Sequence, residues 1–294
     1  MNPGTGSGRY RLLSTLLLFT LWAVSSNVHA QEEPTTEEPS EMEEIASPPI
    51  AVQADFNDVY CSGFITNQRI PNYPRVIGGQ DDDLRSRALQ FLPGKMIYLQ
   101  GRWGETFSPG DEFQVVRKDS LYRYSWFPGQ SRKTNGLGHK YDDVARIKVV
   151  SVRPEAALAE ITSSCDGIMS GDRLLPFRTR PRPMVRLKPK TEAYSPPSGK
   201  LGGTIVVFEG EHGWALEGSI VFLDVGRSEG VRPGNYFTIY VTDRKPLYFT
   251  LWGSPYPREN IGELMVLDTY ERSSKALVTY SARQIYPGDQ IELQ

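Results

Sequence analysis

Histidine and cysteine are the side chains of this sequence best suited to metal binding or nucleophilic catalysis, and they are few. The chain of 294 residues contains three histidines and two cysteines. Beyond the N-terminal region the histidines are His139 and His212, which do not have the spacing of a zinc-ligand motif. The cysteines, Cys61 and Cys165, do not form a Cys-x-x-Cys redox pair. The pattern predicts no metal site, and a zinc site assembled from distant segments is the alternative.

Other catalytic signatures are also missing from the sequence. It has no Gly-x-Ser-x-Gly elbow, no Walker loop and no dinucleotide fingerprint. Residues 75–79, Arg-Val-Ile-Gly-Gly, are similar to the activation site of trypsin-like proteases, but nothing matches the surroundings of their catalytic residues, so we interpret them as a strand ending in a glycine turn. The acids of Asp81–Asp83 and of the Gly-Asp pairs are typical of turns. We predict a protein that is not an enzyme and has no cofactor; a hydrolase with an unrecognised carboxylate pair is the alternative.

The first thirty residues have the three parts of a secretory signal peptide. Arg9 and Arg11 precede an apolar run from Leu12 to Val24, and small residues lead up to Ala30. The run is shorter than the ~20 apolar residues that a membrane-spanning helix needs. We predict cleavage after Ala30, export to the periplasm or cell envelope, and no transmembrane segment in the mature protein. An uncleaved signal anchor is the alternative.

Export changes what the two cysteines are expected to do. Thiols outside the cytoplasm tend to oxidise, and with two cysteines the pairing is Cys61 with Cys165 or none. In the chain-entropy model, a bridge closing a loop of about 100 residues stabilises a fold by about 4–5 kcal/mol. We predict this disulfide, with two buried free thiols as the alternative.

Two segments of biased composition divide the rest of the chain. Residues 31–53 are rich in glutamate and proline, and we expect a disordered acidic leader there. Residues 178–199 form a basic, proline-rich linker whose prolines favour an extended course. Its charges either keep a connector solvated or rest on an anionic surface. The whole chain has a formal charge of −2, so nucleic acid is a poor partner.

An internal repeat gives the strongest indication of the fold. The segments 94–101 and 108–116 resemble the segments 218–225 and 232–240, each 124 positions later. Residues 145–152 parallel residues 262–269, and each copy closes on an Ile-x-x-Gly-Asp turn, at 168–172 and 285–289. Pro-Gly turns followed by residues of alternating polarity indicate short antiparallel strands.

The repeat predicts an all-β protein with two tandem small β-barrel-like (SH3-like) domains. We place domain 1 at residues 54–177 and domain 2 at residues 200–294, on either side of the linker. The one helix that the sequence favours is short, at residues 82–91.

Both copies carry an aromatic arm inserted at the same place. The shared pattern is Leu-Tyr-x-x-x-Trp, with Tyr122 and Trp126 in the first arm and Tyr248 and Trp252 in the second. We expect each arm to be a hairpin or long loop. Tryptophan and tyrosine are enriched in binding surfaces, so these four residues are candidates for contact with a partner. The alternative is that they cap their own barrels or pack the two domains together.

These strands and turns resemble two groups of bacterial envelope proteins. One is the C-terminal β-domain of exported proteins that carry a LysM peptidoglycan-binding module, to which the Tyr-Cys-Ser-Gly-Phe at 60–64 and the Gly-Asp-Arg-Leu-Leu-Pro at 171–176 are similar. The other is the C-terminal domain of periplasmic flagellar assembly protein T. The resemblance covers residues 57–294, and no LysM module precedes them. It implies an envelope location and a role in binding or assembly, and it assigns no functional residue.

Together these observations favour a non-catalytic adaptor of the cell envelope that binds an envelope protein through its aromatic arms. The rival hypothesis is a module that binds peptidoglycan or another anionic envelope polymer, with Arg178–Lys190 contributing. Salt separates them, because binding through a basic strip weakens steeply as ionic strength rises.

Overall fold

Strands are the main regular secondary structure of the computed structural model, which describes residues 51–80, 91, 93–102, 106–119, 126–154, 156–210, 213–242 and 257–294. Two α-helices occur in these ranges, α1 (Phe56–Tyr60) and α2 (Gln130–Leu137), with a 3-10 turn at Arg227–Glu229. The helix expected at residues 82–91 lies almost wholly outside the described residues. The strands are β1 (Val52–Gln53), β2 (Phe64–Thr66), β3 (Arg75–Gly79), β4 (Met96–Gln100), β5 (Glu112–Lys118), β6 (His139–Val152), β7 (Ala157–Ser164), β8 (Arg173–Pro176), β9 (Met184–Val185), β10 (Gly202–Phe208), β11 (Ile220–Leu223), β12 (Tyr236–Val241), β13 (Glu259–Thr269), β14 (Ser274–Ser281) and β15 (Gln290–Leu293).

The strands close into two antiparallel six-stranded barrels. Barrel 1 has the order β3-β4-β7-β6-β5-β8 and barrel 2 the order β10-β11-β14-β13-β12-β15, in each case with the last strand paired to the first. The connectivity is therefore the same in both. β2 adds to barrel 1 as an extra strand beside β6, and β1 pairs with β9 in a separate two-stranded sheet. The predicted fold class, two tandem small β-barrels, is confirmed.

Irregularities in the strand pairing recur at equivalent positions of the two barrels. The β6–β7 ladder shifts register between Val149 and Ser151, and the β13–β14 ladder shifts between Val266 and Asp268, 117 positions later. The β5–β6 and β12–β13 ladders shift after Val115 and after Ile239, 124 positions apart. Because bulges are specific local features, their repetition indicates that both sequence copies build the same barrel.

The predicted Pro-Gly turns have the same hydrogen bonds in both copies. Gly110 has φ +95° and Gly234 φ +87°, a region that favours glycine. The Gly110 N–H donates to the Val149 carbonyl at 2.8 Å, and the Gly234 N–H donates to the Val266 carbonyl at 2.8 Å. Each turn thus fixes the start of one strand against the strand beside it.

The Gly-Asp pairs close each barrel through their carboxylates, as the sequence predicts. Asp172 accepts a hydrogen bond from the Met169 N–H at 2.8 Å, and Asp289 accepts one from the Tyr286 N–H at 2.8 Å. These acids act in turn formation. Asp172 also pairs with Arg117 at 2.8 Å, which ties the turn of barrel 1 to β5.

Each barrel has its own apolar core, formed by the inward residues of its strands. Ile97, Leu99 and Ile147 are among those of barrel 1. Val221 and Leu264 are among those of barrel 2. All five side chains are fully buried. The alternation of inward and outward residues that the sequence shows is what a closed sheet of this size requires.

The predicted disulfide is present. Cys61, which ends α1, is bonded to Cys165, which follows β7, with Cα atoms 5.2 Å apart. The bond spans 104 positions and attaches α1 to barrel 1. Neither cysteine is free.

Candidate functional site

The segment before β3 lies between the two barrels. Val59 of α1 packs with Met265 of barrel 2, and Ile65 of β2 packs with Phe222. Ser273 donates a hydrogen bond to the Ile65 carbonyl at 2.7 Å. Because β2 is also paired with β6 of barrel 1, this segment joins the two barrels.

Four charged side chains form a buried charge cluster at this junction: Asp143 of β6, Arg180, Asp268 of β13 and Lys275 of β14. None is more than 4% exposed. Arg180 donates two hydrogen bonds to the Asp143 carboxylate, at 2.7 and 3.1 Å. The Nζ of Lys275 lies 3.9 Å from Asp143 and donates to the Val59 carbonyl at 2.8 Å. The cluster contains two cations and two anions, so it is formally neutral.

Burial dominates the electrostatics of this cluster. Complete burial lowers the pKa of Lys275 to about 8, although the charge of Asp143 acts to raise it. Burial acts in the same direction on Arg180 and is the largest single effect there. The charge and hydrogen bonds of Asp143, together with Tyr270 and Asp268, outweigh it and raise that pKa above its usual value. A lysine of lowered pKa has the chemistry of a base or a nucleophile. Lys275 is 0% exposed, however, so no substrate can reach it.

The basic linker packs on the protein as a strap, which differs from the expectation of a connector with solvated charges. Arg178 pairs with Asp268 at 2.8 Å, and Arg180 belongs to the buried charge cluster. Arg182 donates to the Ala54 carbonyl at 2.8 Å. Arg186 lies 3.6 Å above the ring of Tyr236. The guanidinium groups are therefore engaged within the chain, whereas Lys188 and Lys190 at the end of the run are exposed.

The end of the predicted leader is also ordered. Val52 and Gln53 pair with Val185 and Met184, so the leader and the linker meet in one short antiparallel sheet. Residues 31–50 lie outside the described part of the chain. The pairing arises because the strap passes beside the segment that leads into α1, a contact between distant residues that local composition does not reveal.

A cleft of about 270 Å³ opens between the barrels beside the buried charge cluster. Phe64, Ile70 and Tyr270 form part of its apolar wall. At its rim Arg227 lies 3.9 Å from Glu271, and both side chains are more than half exposed. The cleft is smaller than the ~300 Å³ at which drug-sized ligand sites begin. Its arginines face acidic partners, so it presents no excess charge to a ligand.

The first aromatic arm contacts barrel 2. The ring of Trp126 lies against Gly213, and a Cβ atom added to Gly213 would be 2.8 Å from that ring. The ring of Phe127 lies against Gly288, where an added Cβ atom would be 3.0 Å from it. The helix α2 follows, and its Gln130 donates to the Val206 carbonyl of β10 at 2.6 Å. The structure describes residues 126–129 of the arm, which form a turn that leads into α2.

These contacts create an exposed aromatic end on barrel 2, formed by Trp126, Trp214, Leu216 and Tyr286. The exposed fractions are 51% for Trp126, 45% for Trp214, 39% for Leu216 and 48% for Tyr286. Trp214 and Tyr286 flank a bridge between the buried Ala215 and Ile285, so both rings project to the outer side. Half-exposed aromatic side chains grouped on one surface are typical of interaction sites.

Of the four residues proposed for partner contact, the structure describes one. Trp126 belongs to the aromatic end and at the same time contacts barrel 2 through Gly213. Tyr122, Tyr248 and Trp252 lie outside the described residues. Sequence reasoning missed Trp214 and Tyr286, although Tyr286 stands inside the closing turn Ile-Tyr-Pro-Gly-Asp and Trp214 directly precedes the bridging Ala215.

The two histidines do not meet in a described site. His139 is the exposed first residue of β6, edge-on to the ring of Tyr141 with centroids 6.5 Å apart. It is a strand residue, not the loop residue that its glycine-rich surroundings suggest. His212 lies outside the described residues. Within the described ranges, no group of three or more His, Cys, Asp or Glu side chains is arranged to hold a metal ion.

Comparisons with known proteins leave the resemblance to LysM-type and flagellar assembly proteins as a prediction. No protein-family model and no curated protein matches the chain. In the portion of the chain that the structure describes, none of the helices has the length and apolar character needed to cross a membrane.

Proposed function

We propose that this protein is a non-catalytic adaptor or assembly factor of the bacterial cell envelope, exported to the periplasm, that binds another envelope protein through the aromatic end of barrel 2. The observation that carries the proposal is the grouping of Trp126, Trp214 and Tyr286, each about half exposed, on one surface. Export rests on the signal-like residues 1–30, and the disulfide is compatible with it.

The composition of the aromatic end supports a protein partner. Tryptophan and tyrosine supply large, rigid contact areas at low conformational entropy cost, and they are the residues most often found at binding hot spots. The aromatic end contains two tryptophans, a tyrosine and a leucine. A surface of this kind favours a partner with an apolar pocket or groove.

The rigidity of the scaffold supports the same proposal. The disulfide, the buried charge cluster and the segment between the barrels hold the two domains together. The turn that carries Trp126 is fixed by α2, whose Lys133 pairs with Asp224 of barrel 2 at 2.5 Å. A preorganised surface loses little entropy when it binds, so more of the contact energy contributes to affinity.

The rival function is binding to peptidoglycan or another anionic polymer, and Lys188 and Lys190 of the strap are the observation that favours it. Both lysines are exposed. Against it, Arg178, Arg180 and Arg182 each bond to a group of the same chain, although the side chain of Arg178 is 49% exposed. The strap therefore offers an anionic polymer much less charge than its sequence suggests.

Site-specific photo-crosslinking in intact cells tests the proposal. A photoreactive amino acid placed at Trp214 or Tyr286 should give one discrete protein adduct, and Trp126→Ala should reduce its yield. Tyr194 is the matched control position, because it is an aromatic residue of the strap with 71% exposure. Adducts at Trp214 that are absent or that equal those at Tyr194 would contradict docking through the aromatic end.

Co-sedimentation of the purified mature protein with peptidoglycan sacculi, at low and moderate salt, distinguishes the rival function of polymer binding from the adaptor function. Pelleting that persists at moderate salt would make the protein a wall-binding module and would count against the adaptor. A protein that stays in the supernatant removes the wall hypothesis. Pelleting that is lost with salt and with the double change Lys188→Ala and Lys190→Ala would assign polymer binding to the strap.

A further inference from the structure

The outer face of barrel 2 is covered by other parts of the same chain. Ile220 of β11 and Met265, Leu267 and Leu277 of β13 and β14 point away from the core of barrel 2. They pack with Val59 of α1 and its neighbours. This face of the repeat is therefore able to form a protein–protein contact, and here the contact is made within one molecule.

The equivalent face of barrel 1 is open. Tyr98 occupies the position of Phe222, 124 residues earlier, and Val150 occupies the position of Leu267, 117 residues earlier. Phe222 and Leu267 are at most 1% exposed, whereas Tyr98 is 39% and Val150 is 46% exposed. Tyr98 and Val150 are apolar like their counterparts, whereas Lys148 and Glu160 occupy the positions of the buried Met265 and Leu277. None of the described segments covers this face.

These side chains form a continuous row across four neighbouring strands. Tyr98 of β4 pairs with Leu158 of β7, and the bulged residue Val150 of β6 stands beside it. On the other side, Ile77 is the bulged residue of β3 next to Tyr98 and is 37% exposed. At a strand spacing of about 4.8 Å, four strands give a row about 15–20 Å wide.

We propose that this face of barrel 1, formed by Ile77, Tyr98, Val150 and Leu158, binds the same face of a second copy of the chain in a two-fold dimer. A two-fold contact joins a surface to itself, so the surface must be self-complementary. The next row satisfies this requirement, because Lys148 of β6 and Glu160 of β7 are paired cross-strand neighbours of opposite charge.

Both of these charged side chains are exposed, and in the described part of the chain neither forms an ion pair. Across a two-fold axis that runs along the strands between β6 and β7, Lys148 of one copy faces Glu160 of the other and the reverse, and Val150 faces Leu158 of the other copy. Two ion pairs then lie beside the apolar row. The two sheets would pack face to face, as the sheets of a β-sandwich do. A single row of four partly exposed side chains is smaller than the ~800 Å² per partner of a standard interface, so the dimer is expected to be weak.

Sedimentation velocity of the mature protein across a concentration range from about 1 to 500 µM tests the proposal, because a weak dimer dissociates at the low end of such a range and forms at the high end. Tyr98→Lys and Val150→Lys should each weaken the dimer at least tenfold. Tyr194→Lys, the same change at an exposed tyrosine of the strap, should leave it unchanged. Circular dichroism of each variant checks that the barrels are folded.

A charge exchange tests the two-fold arrangement itself. Lys148→Glu should weaken the dimer, because it places two acidic groups opposite each other, and adding Glu160→Lys should restore it. A protein that stays monomeric across the range would overturn the proposal, and so would a dimer insensitive to Val150→Lys. A double variant that fails to recover would overturn the two-fold pairing. None of these outcomes depends on the aromatic end, so the adaptor function is tested separately.

Discussion

Removing the charge of Asp143 is the sharpest test of how the two barrels are held together. Asp143→Asn keeps the shape of the side chain but leaves Arg180 and Lys275 buried beside a neutral amide. Arg180 loses two charge-assisted hydrogen bonds, at 2.7 and 3.1 Å, and it cannot release its proton. Breaking a buried ion pair by removing one partner typically costs about 3–5 kcal/mol of unfolding free energy.

Lys275 contributes to this cost at most the free energy needed to deprotonate it in the folded protein, because a lysine with a pKa of about 8 can lose its proton. At pH 7 the limit is about 1 kcal/mol, the free energy of one pKa unit. At pH 6 it rises to about 3 kcal/mol, and above pH 8 it vanishes because Lys275 is already neutral. The variant lowers the folded pKa of Lys275 further, so its destabilisation is largest at low pH and decreases as pH rises through 8.

Urea denaturation at pH 6, 7 and 9, followed by tryptophan fluorescence, measures both effects. Asp142→Asn is the matched control, since Asp142 is the neighbouring residue of β6 and its side chain is 47% exposed in an ion pair with Lys140. We expect less than ~1 kcal/mol for the control, the usual value of an exposed pair. If Asp143→Asn costs no more than Asp142→Asn, or if its cost does not fall between pH 6 and pH 9, the reasoning about the buried charge cluster is wrong.

Three further predictions concern the same junction. Because the folded pKa of Lys275 is about 8 and the unfolded value about 10.5, the wild-type protein should gain about 2 kcal/mol of stability from this group between pH 7 and pH 9.5, and Lys275→Met should lose that gain in parallel denaturation curves. If the difference in unfolding free energy between the two proteins does not change across this pH range, the pKa of Lys275 is not lowered. Replacing Cys61 and Cys165 by serine should lower the free energy of unfolding by about 4–5 kcal/mol, because the disulfide closes a loop of 104 positions. Calorimetry should show this as a lower Tm. A Tm equal to that of the disulfide-bonded protein would argue against a stabilising role of the disulfide. Gly288→Val should lower the free energy of unfolding by more than ~1 kcal/mol, because φ is +102° and Phe127 occupies the space of the new side chain. Gly171→Val is the control, since its φ is +96° and the space around it is open, and it should cost less. Equal losses of stability would show that the Phe127 contact contributes nothing.

The strands, the turns and the disulfide could be predicted from sequence because local chemistry determines them. Glycine at Gly110 and Gly234 permits positive φ, and the side chains of Asp172 and Asp289 accept backbone hydrogen bonds within their own turns. These requirements leave the same residue types at the same spacing in both copies. The disulfide followed from the cysteine count and the expected compartment.

The junction between the barrels could not be predicted, because it depends on contacts between distant segments. Lys275 stands on the outer side of β14, where a lysine normally indicates solvent, but α1 covers it. The arginines of the strap suggest a solvated or polymer-binding segment by composition, yet Arg178 and Arg180 have carboxylate partners on strands of both barrels. The short helix α1 is fixed by its Asp55 cap and the disulfide more than by any apolar periodicity.

The divergence of the two copies at one face links the junction to the proposed interactions. The position that is Lys275 in barrel 2 is Leu158 in barrel 1, so the covered barrel has the charge and the open barrel has the apolar side chain. Burying Lys275 is tolerable because Asp143 and the Val59 carbonyl compensate it, and both belong to the first copy. Tyr98 is 39% exposed and Leu158 is partly exposed, and no described segment covers them as α1 covers Lys275. The two-fold contact proposed above would cover both side chains.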